Sequence, residues 1–231
     1  MTKPVFEILA LEDSPLGTLC LRRREMLSEP GVIVTEVTLD HEFLMSSLHT
    51  ASEEALASIA LEMHQGDRLS VLVGGLGLGY TAQAALASPR VARVEVVELL
   101  PEVIRWLDDG LIPLAGSLKS DPRTHLRPGD IYAQLAAPAV ARHDLILIDV
   151  DHSPDAALGE AGSSFYTVPG LREVCEHLAP GGILGVWSYA ESSPFKDAMC
   201  SVFRTVEVRP VTYFNRHVGE SFTDWLFFGR T

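Results

Sequence analysis

The stretch Leu69–Ala87, LSVLVGGLGLGYTAQAALA, decides the fold of this 231-residue chain. Leu69–Val73 is a short apolar, partly β-branched run, which is typical of a strand buried on both faces. Thr81–Ala87 has the composition of an Ala-rich helix. The turn between them carries four glycines: Gly74, Gly75, Gly77 and Gly79. This order of a strand, a glycine-rich turn and a helix N-terminus predicts a place where a nucleotide or nucleoside can contact backbone N–H groups.

An acidic residue follows at the spacing that such a site requires. Val91–Val97 predicts a second strand, which leads into Glu98, about 20 residues past the glycines. A carboxylate there can accept hydrogen bonds from both ribose hydroxyls. The alternatives are a tight turn that binds nothing and a solvated charge at a strand end. The two features together favour a nucleoside-containing cofactor.

Composition excludes several classes of protein. With 47% hydrophobic and 21% charged residues, the chain is an ordinary globular protein rather than a disordered one. Its net charge of −13 argues against a nucleic-acid partner. Four glycines also exclude the uncharged stretch as a membrane helix, at about 1 kcal/mol each relative to alanine. Three widely spaced cysteines predict no disulfide framework, and the histidines show no metal-ligand spacing. The N-terminus has no apolar signal core, so we expect a cytoplasmic location.

Strand and helix patterns alternate from residue 69 to about 203, which predicts an α/β fold with a mostly parallel, doubly wound sheet. Before it, three short strand patterns predict a small antiparallel β unit: 5–11, 16–21 and 32–39. We therefore expect two domains, 1–40 and 41–231. Between them, Asp40 is a candidate cap for a helix running to about His64.

Other segments are expected to be irregular. Residues 110–122 and 179–182 are rich in glycine and proline and predict a loop and a turn. Residues 150–166 predict a mobile loop over the ligand.

The acidic residues cluster at one edge of the predicted sheet. Ligands of parallel sheets lie outside the carboxyl ends of the strands. The glycine turn, Glu98, Asp130 and Asp149 all fall at such ends or just beyond them. Charges at random positions would not favour one edge, so this is the strongest functional signal.

A series of short motifs adds a family resemblance. The motifs are HEF at 41–43, the glycine turn, VVEL around Glu98, DPR at 121–123, GD at 129–130, FY at 165–166, PGGI at 180–183, ESSP at 191–194 and a final WLFF strand. In this order they resemble the spermidine synthase family. That family is a branch of the Rossmann-like class I S-adenosylmethionine-dependent methyltransferase fold. The resemblance covers nearly the whole chain and implies a homodimer.

The resemblance implies roles for individual residues. Glu98 becomes the ribose ligand, with Leu99 beside it. Asp130 becomes the contact to the adenine amino group, with Ile131 beside it. Asp149 becomes the catalytic aspartate next to the reacting amine, and it is also expected among the cofactor-binding residues with the four glycines.

Other residues are assigned to the reaction and to the substrate. Asp151 and His152 follow Asp149 closely and are further candidates for the base. The substrate side is expected to include Tyr213, Glu42 and Tyr166.

One departure from the family decides the expected reaction. The family's turn reads GGGDGG, and its aspartate holds the ammonium of an aminopropyl group, whereas this chain reads GGLGLG. An acid there would repel the carboxylate of intact S-adenosylmethionine, and backbone N–H groups would bind it. We therefore expect S-adenosylmethionine-dependent methyl transfer to a small, amine-bearing metabolite.

Two alternatives stay open. The first is an aminopropyltransferase (spermidine synthase) of polyamine biosynthesis. It would use decarboxylated S-adenosylmethionine and replace the missing acid with Asp151 or Glu42. The second is a non-catalytic nucleoside-binding protein.

Overall fold

The computed structural model describes residues 4–150, 153–154, 159–216 and 219–231. Seven strands form the main sheet in the spatial order β10-β11-β9-β8-β5-β6-β7. The pairs among β5 to β9 are parallel, and β11 pairs antiparallel with β9 and β10. Its strands are β5 (Leu69–Gly74), β6 (Val91–Glu98), β7 (Thr124–Pro128), β8 (His143–Ile148), β9 (Leu178–Ser188), β10 (Thr205–Asn215) and β11 (Glu220–Arg230). The expected α/β class is confirmed.

A separate antiparallel sheet of four strands precedes the main sheet: β1 (Phe6–Ser14), β2 (Gly17–Glu25), β3 (Ile33–Leu39) and β4 (Glu42–Ser46). This is the expected β unit with one more strand. The sheet extends to Ser46, six residues past the boundary expected at residue 40.

The described residues form eight helices. They are α1 (Ala51–Met63), α2 (Tyr80–Leu86), α3 (Pro101–Asp108), α4 (Ala115–Ser120), α5 (Ile131–Ala136), α6 (Gly159–Phe165), α7 (Val168–His177) and α8 (Ser193–Cys200). Strand β5 shows why the sheet forms here. Val71 and Val73 belong to one hydrophobic core and Leu72 to the other, so apolar side chains cover both faces. In the described part of the chain, no helix is long and apolar enough to span a membrane.

Several local expectations were wrong. Asp40 does not cap a helix: it lies in the β3–β4 turn with φ of 47°, and its Oδ1 accepts a hydrogen bond from Thr18 N. The helix begins only at α1, after Thr50. Helix α4 lies in the segment expected to be loop, and β9 runs through the turn expected at 179–182. Helix α6 occupies part of the expected mobile loop, and other parts of that loop lie outside the described residues.

The ends of neighbouring strands are tied together around the glycine turn. Gly75 N donates to Val97 O, and Asp149 N donates to Gly74 O. Gly129 N donates to Glu98 O. The carboxyl ends of β5, β6, β7 and β8 therefore meet at one edge, which brings the candidate residues together.

Candidate functional site

A cavity of about 800 Å³ lies beside the glycine turn. Gly77 and Gly79 line it from the turn, and Asp149 lines it from the end of β8. Helix α1, the four-stranded sheet and the hairpin β10–β11 supply the rest of its wall. The cavity is therefore built where the first and last parts of the chain meet the main sheet.

Glycine is required where the turn passes Asp149. Gly75 has φ of 89°, and a Cβ there would lie 2.3 Å from the backbone oxygen of Asp149. Gly77 has φ of 53°, and its Cβ would meet only the side chain of Met45, at 3.3 Å from the sulfur. Gly75 thus lets the turn approach the β8 end, and Gly77 leaves its side of the cavity open.

Three carboxylates from different elements line one end of the cavity: Glu53 on α1, Asp149 after β8 and Asp224 on β11. Thr81 Oγ1 donates to Asp149 Oδ2 at 2.6 Å. Ser52 Oγ is 2.6 Å from Asp224 Oδ2 and 3.0 Å from Glu53 Oε2. We call these three carboxylates the acid cluster.

Burial and mutual repulsion raise the pKa values of the acid cluster. Burial is the main cause for each group. It raises the pKa of Glu53 to about 8, with Asp149 adding to the shift. It raises the pKa of Asp149 to about 6, opposed by the hydrogen bond from Thr81 and reinforced by Asp224. The pKa of Asp224 is raised by burial as well. Such a site favours a cation, whose charge relieves the repulsion.

Aromatic side chains flank the acid cluster. The ring of His49 stacks on Tyr213, with centroids 4.6 Å apart and 27° between planes. Trp187 lines the same cavity. Tyr213, predicted for the substrate side, is thus placed beside the acids. Flat rings around carboxylates are suited to the alkyl chain and the ammonium group of an amine.

The residues predicted to hold the ribose and the adenine are not among the described residues that line this cavity. Both carboxylate oxygens of Glu98 accept backbone hydrogen bonds, from Leu76 N at 2.7 Å and from Leu100 N at 2.8 Å. Asp130 begins α5, and its Oδ1 accepts from Tyr132 N and Ala133 N. Leu99 is 44% exposed next to Glu98. Ile131 is buried, and its side chain would lie 2.8 Å from a Cβ added to Gly74.

Two predicted substrate residues do not reach the cavity. Glu42 lies exposed on β4 and is not among the described residues that line it. Tyr166 is buried in the core, where its hydroxyl is 3.0 Å from that of Tyr132. Asp151 and His152 lie outside the described residues.

Sequence reasoning missed two of the three acids. Glu53 is adjacent to Glu54, and two neighbouring acids are typical of the polar face of a helix, but of the two only Glu53 lines the cavity. Asp224 stands before the apolar run WLFF in the last strand. A single acid in a strand that is otherwise buried was the available signal, because a charge there requires a partner or a function.

Sequence comparison finds relatives with two named activities. No family model matches the chain. It is 34% identical over 124 residues to polyamine aminopropyltransferase 2 of Streptomyces coelicolor, covering 52% of the chain and 22% of that protein. It is 32% identical over 165 residues to a polyamine aminopropyltransferase of Mycobacterium tuberculosis, covering 68% of the chain and 30% of that protein. Putrescine N-methyltransferase 3 of Nicotiana tabacum is 32% identical over 122 residues, covering 53% of the chain and 30% of that protein. The chain therefore spans less than a third of the length of these relatives.

Comparison with solved structures finds the same fold. A spermidine synthase in complex with the transition-state analogue AdoDATO superposes with a TM-score of 0.75 at 18% identity, over 96% of this chain and 73% of that one. Spermidine synthase from Thermotoga maritima gives a TM-score of 0.74 at 15% identity, over 96% and 72%. Both have the fold found here. The resemblance to a spermidine synthase-like family with the class I methyltransferase fold is confirmed.

Proposed function

We propose that this chain, which is spermidine synthase-like in sequence and fold, transfers an aminopropyl group from decarboxylated S-adenosylmethionine to a small amine. The observation that carries the proposal is the acid cluster in one cavity beside the glycine turn. The named relatives favour this reaction over the methyl transfer expected from the sequence. Of the two replacements for the missing turn acid that the sequence suggested, Glu42 does not line the cavity and Asp151 lies outside the described residues.

The turn fits an S-adenosyl group. Gly77 presents no side chain to the cavity. A Cβ there would lie 3.3 Å from the sulfur of Met45. Glu98 and Asp130 lie at or just after the ends of the neighbouring strands β6 and β7, and we assign them the ribose and the adenine. The bound sulfonium supplies an electrophilic carbon and a thioether leaving group, so the protein has to position and deprotonate the nucleophile.

Asp149 has the properties of the group that receives the proton. Its pKa of about 6 lies below neutrality, so it is largely ionised at pH 7 and yet basic enough to accept a proton from an ammonium that approaches it. Thr81 fixes the orientation of its carboxylate. Glu53 and Asp224 hold the second, non-reacting ammonium of a diamine, beside the ring of Tyr213.

The test is turnover with both donors. The purified protein is incubated with putrescine and either donor, and the nucleoside product is identified by mass spectrometry. Aminopropyl transfer leaves 5′-methylthioadenosine, and methyl transfer leaves S-adenosylhomocysteine. We expect the first product from the decarboxylated donor. The absence of both products with a range of amines would overturn the proposal and favour a nucleoside-binding protein.

Methyl transfer to an amine is the second candidate, favoured by one observation. Gly77 stands where the family has the aspartate that holds an ammonium, and the N-methyltransferase from Nicotiana tabacum is among the relatives. Formation of S-adenosylhomocysteine alone would select this candidate. The assignment to a homodimer stays a prediction in either case.

A further inference from the structure

We infer that the cavity has a second, basic end, formed by Arg22 and Arg24, that binds a carboxylate of the ligand. The carboxylate belongs either to the amine acceptor, as in a diamino acid, or, if the reaction is the methyl transfer named as the second candidate, to the methionine part of an intact donor. The inference rests on the proposed function, because it concerns the ligands of the same cavity. It narrows the ligands of the cavity from amines in general to a set in which the acceptor or the donor carries both an ammonium and a carboxylate.

The basic end is a built arrangement on the four-stranded sheet. Arg22 and Arg24 project from β2 on the same side as Glu36 of β3, and all three line the cavity. Arg22 engages Glu36 Oε2 through Nε at 3.0 Å and Nη2 at 2.9 Å. Arg24 engages Oε1 through Nε at 2.8 Å and Nη2 at 2.6 Å. Glu36 thus fixes both guanidinium groups in place.

One carboxylate does not neutralise two guanidinium groups. The side chain of Glu36 is only 4% exposed, whereas those of Arg22 and Arg24 are 32% and 33% exposed. Burial works to raise the pKa of Glu36, but the hydrogen bonds from Arg24 and Arg22 outweigh it and hold the pKa below its usual value. Glu36 is therefore ionised, and one positive charge is left over on partly open groups that are well suited to bind a second carboxylate.

The two ends of the cavity differ in the sign of their charge. The acid cluster lies on α1, β8 and β11, and the arginine pair lies on β2, with β4 contributing Met45 and Ser46 to the wall between. A diamine without a carboxylate would satisfy only the acidic end. A ligand with an ammonium at one end and a carboxylate at the other would satisfy both.

The test uses ligands that differ by one carboxylate. Putrescine and ornithine form the acceptor pair, and decarboxylated and intact S-adenosylmethionine form the donor pair. Binding of all four is measured by calorimetry for the wild type, for Arg22→Gln with Arg24→Gln, for Glu36→Gln and for the control Arg23→Gln. Arg23 lies between the two on β2, but its guanidinium donates to Leu111 O.

In one of the two pairs, we expect the ligand that has the carboxylate to bind more tightly than the ligand that lacks it. The double arginine variant should abolish that preference, a loss of about 10- to 100-fold in affinity for two charge-assisted hydrogen bonds. Glu36→Gln should strengthen the preference, because it removes the competing carboxylate, so the test does not depend on the folding of the double variant. The control should leave the preference unchanged. The ligand pair that responds identifies the source of the carboxylate.

Other outcomes overturn the inference. If putrescine and the decarboxylated donor bind and react while neither carboxylate adds affinity, the proposed function stands and the basic end is wrong. If a preference exists but none of the Arg22, Arg24 or Glu36 variants changes it, the carboxylate is bound elsewhere. If no amine and no donor binds, the proposed function fails, and this inference fails with it.

Discussion

Two groups of acidic residues lie near the glycine turn, and their surroundings differ. On the nucleoside side, Glu98 accepts two backbone N–H groups and Asp130 accepts two more. On the cavity side, Glu53, Asp149 and Asp224 receive hydroxyl hydrogen bonds and lie close enough to raise one another's pKa values. The first pair is fixed by the main chain, whereas the second group is held together against its own repulsion.

The difference separates two kinds of recognition. A carboxylate held by backbone N–H groups is rigid, which suits hydrogen bonds to neutral hydroxyl and amino groups. Carboxylates that repel one another have no such internal compensation, so a cationic ligand stabilises them. Four substitutions test this division.

Asp149→Asn should reduce kcat with the productive donor and amine by about 10²- to 10⁴-fold, because the amine loses its proton acceptor. Donor binding should change less than kcat, since the nucleoside is assigned to Glu98 and Asp130. Steady-state kinetics and calorimetry measure the two quantities. Asp197→Asn on the exposed part of α8 is the matched control, and a comparable loss of kcat in it would contradict the assignment.

Glu98→Ala should weaken binding of either donor by roughly 1–3 kcal/mol, the loss expected for hydrogen bonds to a charged group. The same change also releases Leu76 N and Leu100 N, so Glu98→Gln is needed to separate charge from shape. Glu95→Gln, on the same strand but paired with Arg93 and Arg127, should bind normally. Unchanged donor binding in Glu98→Ala would remove this residue from the site.

Gly77→Asp should shift donor preference toward the decarboxylated form by about tenfold, because it places a carboxylate where the family has one. Aspartate tolerates the left-handed backbone at this position better than most residues, and Met45 can move aside. Gly77→Asn is the uncharged control of the same shape. Competitive calorimetry with the two donors gives the ratio, and an equal shift in both variants would show that charge is not responsible.

Glu53→Gln should stabilise the free protein at pH 8 by a few degrees in Tm, at about 2–4 °C per kcal/mol for a protein of this size. Folding raises the pKa of Glu53 to about 8, so its stability contribution is intact below pH 4.5 and is lost as the pH rises to 8. The difference from wild type should therefore shrink toward pH 5. Glu54→Gln, exposed on the same helix, should show no such pH dependence in thermal denaturation.

Sequence reasoning succeeded where the determinants are local. The strand, the turn and the helix at Leu69–Ala87 follow from periodicity and glycine content, and the structure has them within a residue or two. Glu98 and Asp149 could be placed because each follows a buried strand, whose carboxyl end has a fixed position in a parallel sheet.

Sequence reasoning failed where residues distant in the chain meet. Ser52 and Asp224 are 172 positions apart, and their contact depends on how β11 lies against α1. No periodicity encodes that packing. The strand β4 was missed for a related reason: five residues after a tight turn carry too little pattern, and their pairing with β3 defines them. The arginine pair was hidden because charged residues on a strand next to solvent are unremarkable in sequence.

The hydroxyl of Ser52 carries a single hydrogen but lies within bonding distance of both Glu53 and Asp224. It can donate to only one of them at a time. The other carboxyl group must therefore keep a proton of its own in the free protein. An arriving ammonium brings up to three donors and makes that proton unnecessary, so binding of the amine should be accompanied by its release to solvent.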